Sequence, residues 1–231
     1  MTRDFVSAAC GLWLASAASA HADPVVIELY TSQGCSSCPS ADAYLESLAD
    51  DPRVIPLALH VDYWDYIGWK DTFAQGKFTE RQKSYARAIG SRTIYTPQMI
   101  VGGTERVEGN DPSEVSAHIA AHLAGHSPVT LVVERQGDRL VIRVEADPPL
   151  TAPVRVQLVR YRPEETVEIG RGENAGKTIS YRNIVTSWEN LGDWPGDAPL
   201  DLIAPVQGGD PAVVIVQEKG PATILAAARV E

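Results

Sequence analysis

The chain has 231 residues, 44% of them hydrophobic and 22% charged, with a formal net charge of −10. That length allows one or two domains, and the composition excludes a disordered chain, which needs low hydrophobicity together with high charge. An acidic chain repels phosphate backbones and anionic lipid, so nucleic-acid and peripheral membrane binding are set aside, and three cysteines are too few for a disulfide-stapled miniprotein.

Residues 1–22 read as a targeting segment. Arg3 precedes an apolar, small-residue run over 10–20 that is too short to cross a bilayer as a helix. Small-x-small sites end it at Ala18-Ser19-Ala20 and Ala20-His21-Ala22, the pattern of a secretory signal peptide cut after Ala20 or Ala22. A periplasmic or secreted protein without stable membrane insertion is expected. Cleavage removes Cys10 and leaves Cys35 and Cys38 as the two cysteines of the mature chain, in an oxidising compartment.

The β-branched run over 25–30 predicts a buried strand, broken at Gly34. A helix follows over 36–49 with Tyr44, Leu45 and Leu48 on one face, then a second strand over 54–61 in which Pro56 argues for irregularity. Residues 62–77 form an aromatic, acidic loop. A helix over 78–89 carries a Thr79/Gln82 capping box and closes at Gly90. Strands over 98–101 and 104–107 flank Gly102-Gly103 as a hairpin. Asp111, Pro112 and Glu114 open a third helix that presents Val115, Ile119 and Leu123 and stops at Gly125. The order is β-α-β-α-β-β-α, with the first two strands parallel through a right-handed crossover.

After Pro128 the pattern changes to short strands, over 129–134, 139–145, 154–160, 166–169, 178–187, 212–217 and 223–230, separated by turns such as Gln136-Gly137-Asp138. They predict an antiparallel all-β unit, a sandwich or a barrel-like sheet. The expected division is a signal peptide over 1–22, an α/β domain over 23–126 and a β domain over 127–231.

Cys35-Ser36-Ser37-Cys38 stands where a strand ends and a helix begins. A helix N-terminus stabilises a thiolate, the nucleophile of disulfide exchange, and two intervening residues bring the second sulfur within reach to resolve a mixed disulfide. Farther along, Thr96-Pro97 opens a strand, which makes Pro97 a candidate for a cis bond. The two motifs in this order resemble the thioredoxin fold over about residues 24–125. The resemblance implies Cys35 as exposed attacking thiol, Cys38 as buried resolving thiol, Pro97 beside the pair and Thr96 offering its backbone to a bound peptide.

A second resemblance covers nearly all of the mature chain. The stretch from Glu28 through Cys35, Cys38 and Pro39 to Asp42, the run from His60 to Lys70, and Gly172-Glu173-Asn174-Ala175-Gly176-Lys177 are similar to the secreted bacterial family DUF1223. That family is thioredoxin-like and without an established function, so the resemblance implies fold and export rather than activity. Two features depart from thioredoxins. Leu29 occupies the position of their buried Asp, with Glu28 one residue further back, and Ser36-Ser37 replaces the usual dipeptide between the cysteines.

Functional groups in open α/β sheets gather beyond the carboxyl ends of parallel strands. The second strand is expected to bring His60, Asp62, Tyr63, Trp64 and Asp65 to the Cys35 edge. They read as a rim for a bound peptide, as ligands of a Cys35/Cys38/His60 or Asp62 metal site, or as cover for a core edge. His118, His122 and His126 recur every four residues, in the last turns of a helix where His is favoured anyway. Residues 172–178 look like a phosphate loop but hold three residues between the glycines where four are needed, and read better as a turn or contact loop.

The reading of the sequence is an exported thiol–disulfide oxidoreductase. Cys35 and Cys38 exchange with exported proteins or a redox partner through a mixed disulfide, Thr96 and Pro97 position the partner, and Glu28, His60, Asp62 and Trp64 tune or bind. It needs no cofactor beyond the redox-active disulfide. The alternative is a non-enzymatic binding protein, either a copper or zinc carrier or an interaction module with a structural disulfide.

Overall fold

A computed structural model describes residues 23–206 and 208–230; the expected signal peptide lies outside the described residues. The first half runs β1 (Val25–Thr31), α1 (Pro39–Ser47), β2 (Val54–His60), α2 (Gly76–Ala88), β3 (Gln98–Val101), β4 (Glu105–Glu108) and α3 (Pro112–Ala124). The second half is all strand: β5 (Val129–Gln136), β6 (Arg139–Ala146), β7 (Val154–Glu168), β8 (Thr178–Trp194), β9 (Leu200–Pro205), β10 (Ala212–Glu218) and β11 (Ile224–Val230).

These strands make two sheets. The larger has eight strands in the order β11-β10-β7-β8-β2-β1-β3-β4, and the smaller has three in the order β5-β6-β9. The fold is therefore mixed α/β, with a large, mostly antiparallel sheet and a second sheet packed on it. Neither closes into a barrel, so of the two options for the second half the barrel-like one is not found. Leu140, Ile142 and Val144 of the small sheet interdigitate with Val156, Leu158, Val214 and Val216 of the large one, as in a sandwich.

β1 is buried along all seven residues because helices cover both of its faces. Ile27 and Leu29 face α1 and α3, together with Ala41, Leu45, Met99 and Val115. Val26 and Tyr30 face the other way, into a core that joins Phe78 and Tyr85 of α2 to Val159, Val213 and Ile215 of the second half. β1 and β2 run parallel, and β1 and β3 antiparallel. The seam between the halves is β2 against β8, paired at Ala58–Ile184. Pro56 has no N–H to offer there, and Asn183 takes a left-handed φ of 50° while its side-chain amide donates to the Pro56 carbonyl at 2.9 Å. The irregularity expected at Pro56 is thus a local break in the ladder.

Several boundaries differ from expectation. α1 starts at Pro39 rather than 36, since the fixed φ of proline suits the first helical position and Cys38 becomes the N-cap. α2 starts at Gly76, and its capping box does not form: Thr79 donates to Asp62, and Gln82 donates to the Tyr95 carbonyl and to Gln98. α3 matches, with the Asp111 side chain accepting from the Glu114 amide at 3.0 Å. The strands expected over 154–160 and 166–169 are one, β7. Beyond Tyr161, whose N–H donates to the Pro211 carbonyl, β8 is the only described strand that pairs with it, so Pro163 sits on an open edge where no N–H is needed.

Candidate functional site

The chain leaves β1 at Thr31 and enters α1 at Pro39, so the turn over 32–38 stands at the carboxyl edge of the parallel pair. Within it Cys35 and Cys38 form a disulfide, with Cα atoms 5.4 Å apart. The Ala41 and Asp42 amides at the start of α1 donate to the Cys38 carbonyl at 2.9 and 3.0 Å, and Cys35 stands three residues before this N-cap. Cys38 is fully buried, and so, at 1% exposure, is Cys35. The exposed attacking thiol implied by resemblance is therefore not found: the surrounding loops close over Cys35, while Ser36 and Ser37 remain exposed.

Gln33 fixes the turn. Its amide N–H donates to Asp71 at 2.8 Å, its side-chain NH2 to Thr72 at 3.0 Å, and its side-chain oxygen accepts from the Trp69 indole at 2.8 Å. The loop after β2 therefore lies on the disulfide edge. Trp64 packs beside Gly34, where an added Cβ would stand 3.3 Å from the Trp64 Cβ, and its indole donates to the Thr96 hydroxyl at 2.7 Å. The Thr96–Pro97 bond is cis, and Pro97 is buried near Ala41 of α1 and Gly109. Cys35, Cys38, Trp64, Thr96 and Pro97 thus gather around the head of α1.

Two other expected site residues go elsewhere. Glu28 alternates to the α2 face of β1, where it accepts two hydrogen bonds from Arg81 at 2.7 Å, one from Tyr85 at 2.6 Å and one from Tyr30 at 2.8 Å. It cannot replace an acid beneath the cysteines from the opposite side of the sheet. Asp62 is exposed and accepts from Thr79 of α2 at 2.6 Å.

His60 is fully buried on the α1 face, with Nδ1 2.7 Å from Asp71. Burial opposes the charge of Asp71, but His60 and two backbone amides hold it below the ordinary carboxylate range. Close by is a residue that reading the sequence missed, Asp42. It is 4% exposed, and neither carboxyl oxygen has a hydrogen-bond partner; the same holds for His60 Nε2, the Thr31 hydroxyl and the Tyr181 hydroxyl. Burial pushes Asp42 up to about 7, against the pull of His60, and pushes the Tyr181 phenol up as well, with Asp42 adding to that. A buried acid–base cluster therefore lies behind the disulfide. The available signal was a carboxylate between Ala41 and Leu45 on the apolar face of the helix, four residues after Cys38.

The second missed residue is Asn174, at the tip between β7 and β8. This tip is exposed over 170–177 except for Asn174, which is 1% exposed. The Asn174 amide donates to the carbonyls of Gln33 and Cys35, each at 2.9 Å, and Lys177 donates to the Asn174 oxygen at 2.8 Å.

Among the described residues no three His, Cys, Asp or Glu side chains come together to hold a metal ion. His60 Nδ1 faces Asp71, and Asp62 accepts from Thr79. His122 pairs with Glu105 at 2.5 Å, and His118 lies 3.8 Å from Glu114. No described helix is long and apolar enough to cross a membrane.

A family model described as a protein of unknown function, DUF1223, matches residues 26–217. A crystal structure of a protein from Agrobacterium tumefaciens is 32% identical, with a TM-score of 0.76, over 89% of this chain and 92% of that one. HBP35 of Porphyromonas gingivalis is 14% identical, with a TM-score of 0.61, over 90% of this chain and 74% of that one, a likeness of fold alone. No curated protein matches the chain.

Proposed function

The chain belongs to the DUF1223 family, which brings no activity with it, and from the chain's own residues we propose that it is an exported thiol–disulfide oxidoreductase acting on other exported proteins. One observation carries the reading: the disulfide stands at the head of α1 with Cys38 as N-cap. The β-α-β-α-β-β-α order around it resembles the thioredoxin fold, and the gathering of Trp64, Thr96 and Pro97 beside it supports a rim for a partner chain. The signal-like segment over 1–22 and the oxidised pair support export.

In the proposed reaction a partner thiolate attacks the Cys35 sulfur. The Cys35–Cys38 bond breaks and Cys38 leaves as a thiolate, which the positive end of α1 stabilises before it takes a proton. A second partner thiolate then attacks the partner's own sulfur in the mixed disulfide and releases Cys35. The partner gains a disulfide and the pair is reduced; the reverse sequence reduces a partner. The 1% exposure of Cys35 favours a second reading, an interaction module with a structural disulfide.

The Cys38→Ser variant separates the two. In the exchange reading it accumulates mixed disulfides through Cys35, and the native pair equilibrates with glutathione at a measurable potential. A pair below about −300 mV that neither oxidises a reduced peptide dithiol nor traps a partner is a structural bridge, and the exchange reading then fails.

A further inference from the structure

We propose that the tip between β7 and β8, residues 170–177, is a lid over the disulfide, latched by Asn174, and that the Cys35 sulfur becomes available when this lid lifts. The inference rests on the exchange reading for its purpose and not for its physics.

Three observations carry it. The tip is exposed at every position but one, and the buried one is a polar side chain inserted into the disulfide turn. Its two donors go to the carbonyls of Gln33 and Cys35, main-chain atoms of the segment that contains the attacking sulfur. Lys177 holds the Asn174 oxygen and so aims its NH2 group at those carbonyls. Beside this latch the tip rests on the disulfide-side loop at glycines: a Cβ added to Gly172 would stand 3.2 Å from that of Trp69, and φ there is +77°. A side chain at 172 would hold the two loops apart, so glycine is needed where the lid seats.

The rest of the tip favours opening. Its backbone bonds are internal, from Gly176 to Ile169 and from Lys177 and Ala175 to Asn174 and Gly172. None of them reaches another loop, so the tip is held down by the Asn174 bonds and the seat of Gly172 on Trp69, and it opens by a local unfolding that breaks these together with its own short bonds. Ile169, fully buried, marks where the tip joins the anchored strands. A segment with few apolar contacts, held by two neutral hydrogen bonds, belongs to the low-stability end of local opening. The stretch from Gly172 to Lys177, which looks like a phosphate loop in sequence, serves on this reading as a latch whose working residue is Asn174.

The test is the rate at which a water-soluble phosphine reduces the native pair in the folded protein, with free thiols counted over time. Asn174→Asp keeps the size of the side chain and replaces both donors with acceptors facing two carbonyls. It is expected to speed reduction about tenfold to a hundredfold at an unchanged urea midpoint, and Lys177→Met, which frees the latch without removing it, by less. Wild-type amide exchange is independent of any variant: the amides at 173–177 should exchange much faster than those of β7 and β8 on either side. A reduction rate equal in wild type and Asn174→Asp, or tip amides as protected as those of β1, overturns the lid. Faster reduction of Asn174→Asp without exchange on a peptide dithiol keeps the lid and removes the exchange reading. Exchange by wild type with no gain in Asn174→Asp does the reverse.

Discussion

The backbone amide of Asp42 donates to the carbonyl of Cys38 at 3.0 Å, so the buried carboxyl stands one helical turn behind the disulfide. His60, Asp71, Thr31 and Tyr181 lie around it, and burial outweighs the pull of His60 and Thr31 on its charge. A carboxyl in that position keeps its proton in the folded protein until about pH 7, whereas the unfolded chain gives it up near 3.8. Between those values the folded state binds the extra proton, so stability falls as pH rises from about 4 to 7 and levels off above. Asp42→Asn removes this component. Urea unfolding across the window should show a wild-type loss on the order of 4 kcal/mol that flattens in the variant. Asp71, whose pKa is depressed, acts in a different window: its contribution is lost only as pH falls below the ordinary carboxylate range. Parallel profiles for wild type and Asp42→Asn would show that Asp42 is ionised at neutral pH.

On the other face of β1, the buried Glu28 and Arg81 form a two-bond pair that also ties in Tyr30, Tyr85 and Gln217, with the guanidinium 3.7 Å from the Trp188 ring centroid. It joins α2 and β1 to β8 and β10. Arg81→Ala leaves the Glu28 charge buried and unpaired, and should cost about 3–5 kcal/mol in urea unfolding. Glu28→Gln added to that variant should recover part of the loss. A loss below about 1 kcal/mol would mean that water reaches Glu28.

How much of this was legible in the sequence follows from the kind of signal. The strand run of β1, the Asp111 cap of α3 and the hairpin at Gly102-Gly103 are local patterns, and local patterns read well. β9 was missed because Leu200, Leu202 and Ala204 alternate within a strand of only six residues that follows Pro199 and ends on Pro205. The start of α1 was read three residues early because the cysteines drew it there, while Pro39 set it. The disulfide and the aromatic loop could be placed on one edge by the crossover rule. The facing of Glu28 depended on strand alternation, and the partner of Asn174 lies 139 residues away at Cys35, a contact no spacing reveals.

Gly109 lets the Thr96–Pro97 corner approach α1. A Cβ there would stand 2.8 Å from the Pro97 Cβ and 2.9 Å from the Ala41 Cβ, between two groups that have nowhere to move. Gly109→Ala should cost about 1–3 kcal/mol through overpacking, and should shift the fluorescence of Trp64, which is bonded to Thr96. An unchanged unfolding midpoint and spectrum would show that the corner yields freely.

The two readings of the disulfide make different demands on stability. A bridge between residues three apart closes a ring of four residues and restricts the unfolded chain little, so on chain entropy alone it contributes about 2 kcal/mol. An exchange site has to fold in both redox states, because the reduced form is half of its cycle. Cys38 remains buried in the turn, α1 keeps its seat on Ile27 and Leu29, and the Gln33 bonds to Asp71, Thr72 and Trp69 involve no sulfur. The reduced protein should therefore stay folded and lose about 2 kcal/mol relative to the oxidised protein. Urea unfolding with and without a phosphine, with the thiols counted at each point, checks this. A reduced form that unfolds without urea, or that loses more than about 5 kcal/mol, would make the pair a structural staple and leave the interaction module as the better account.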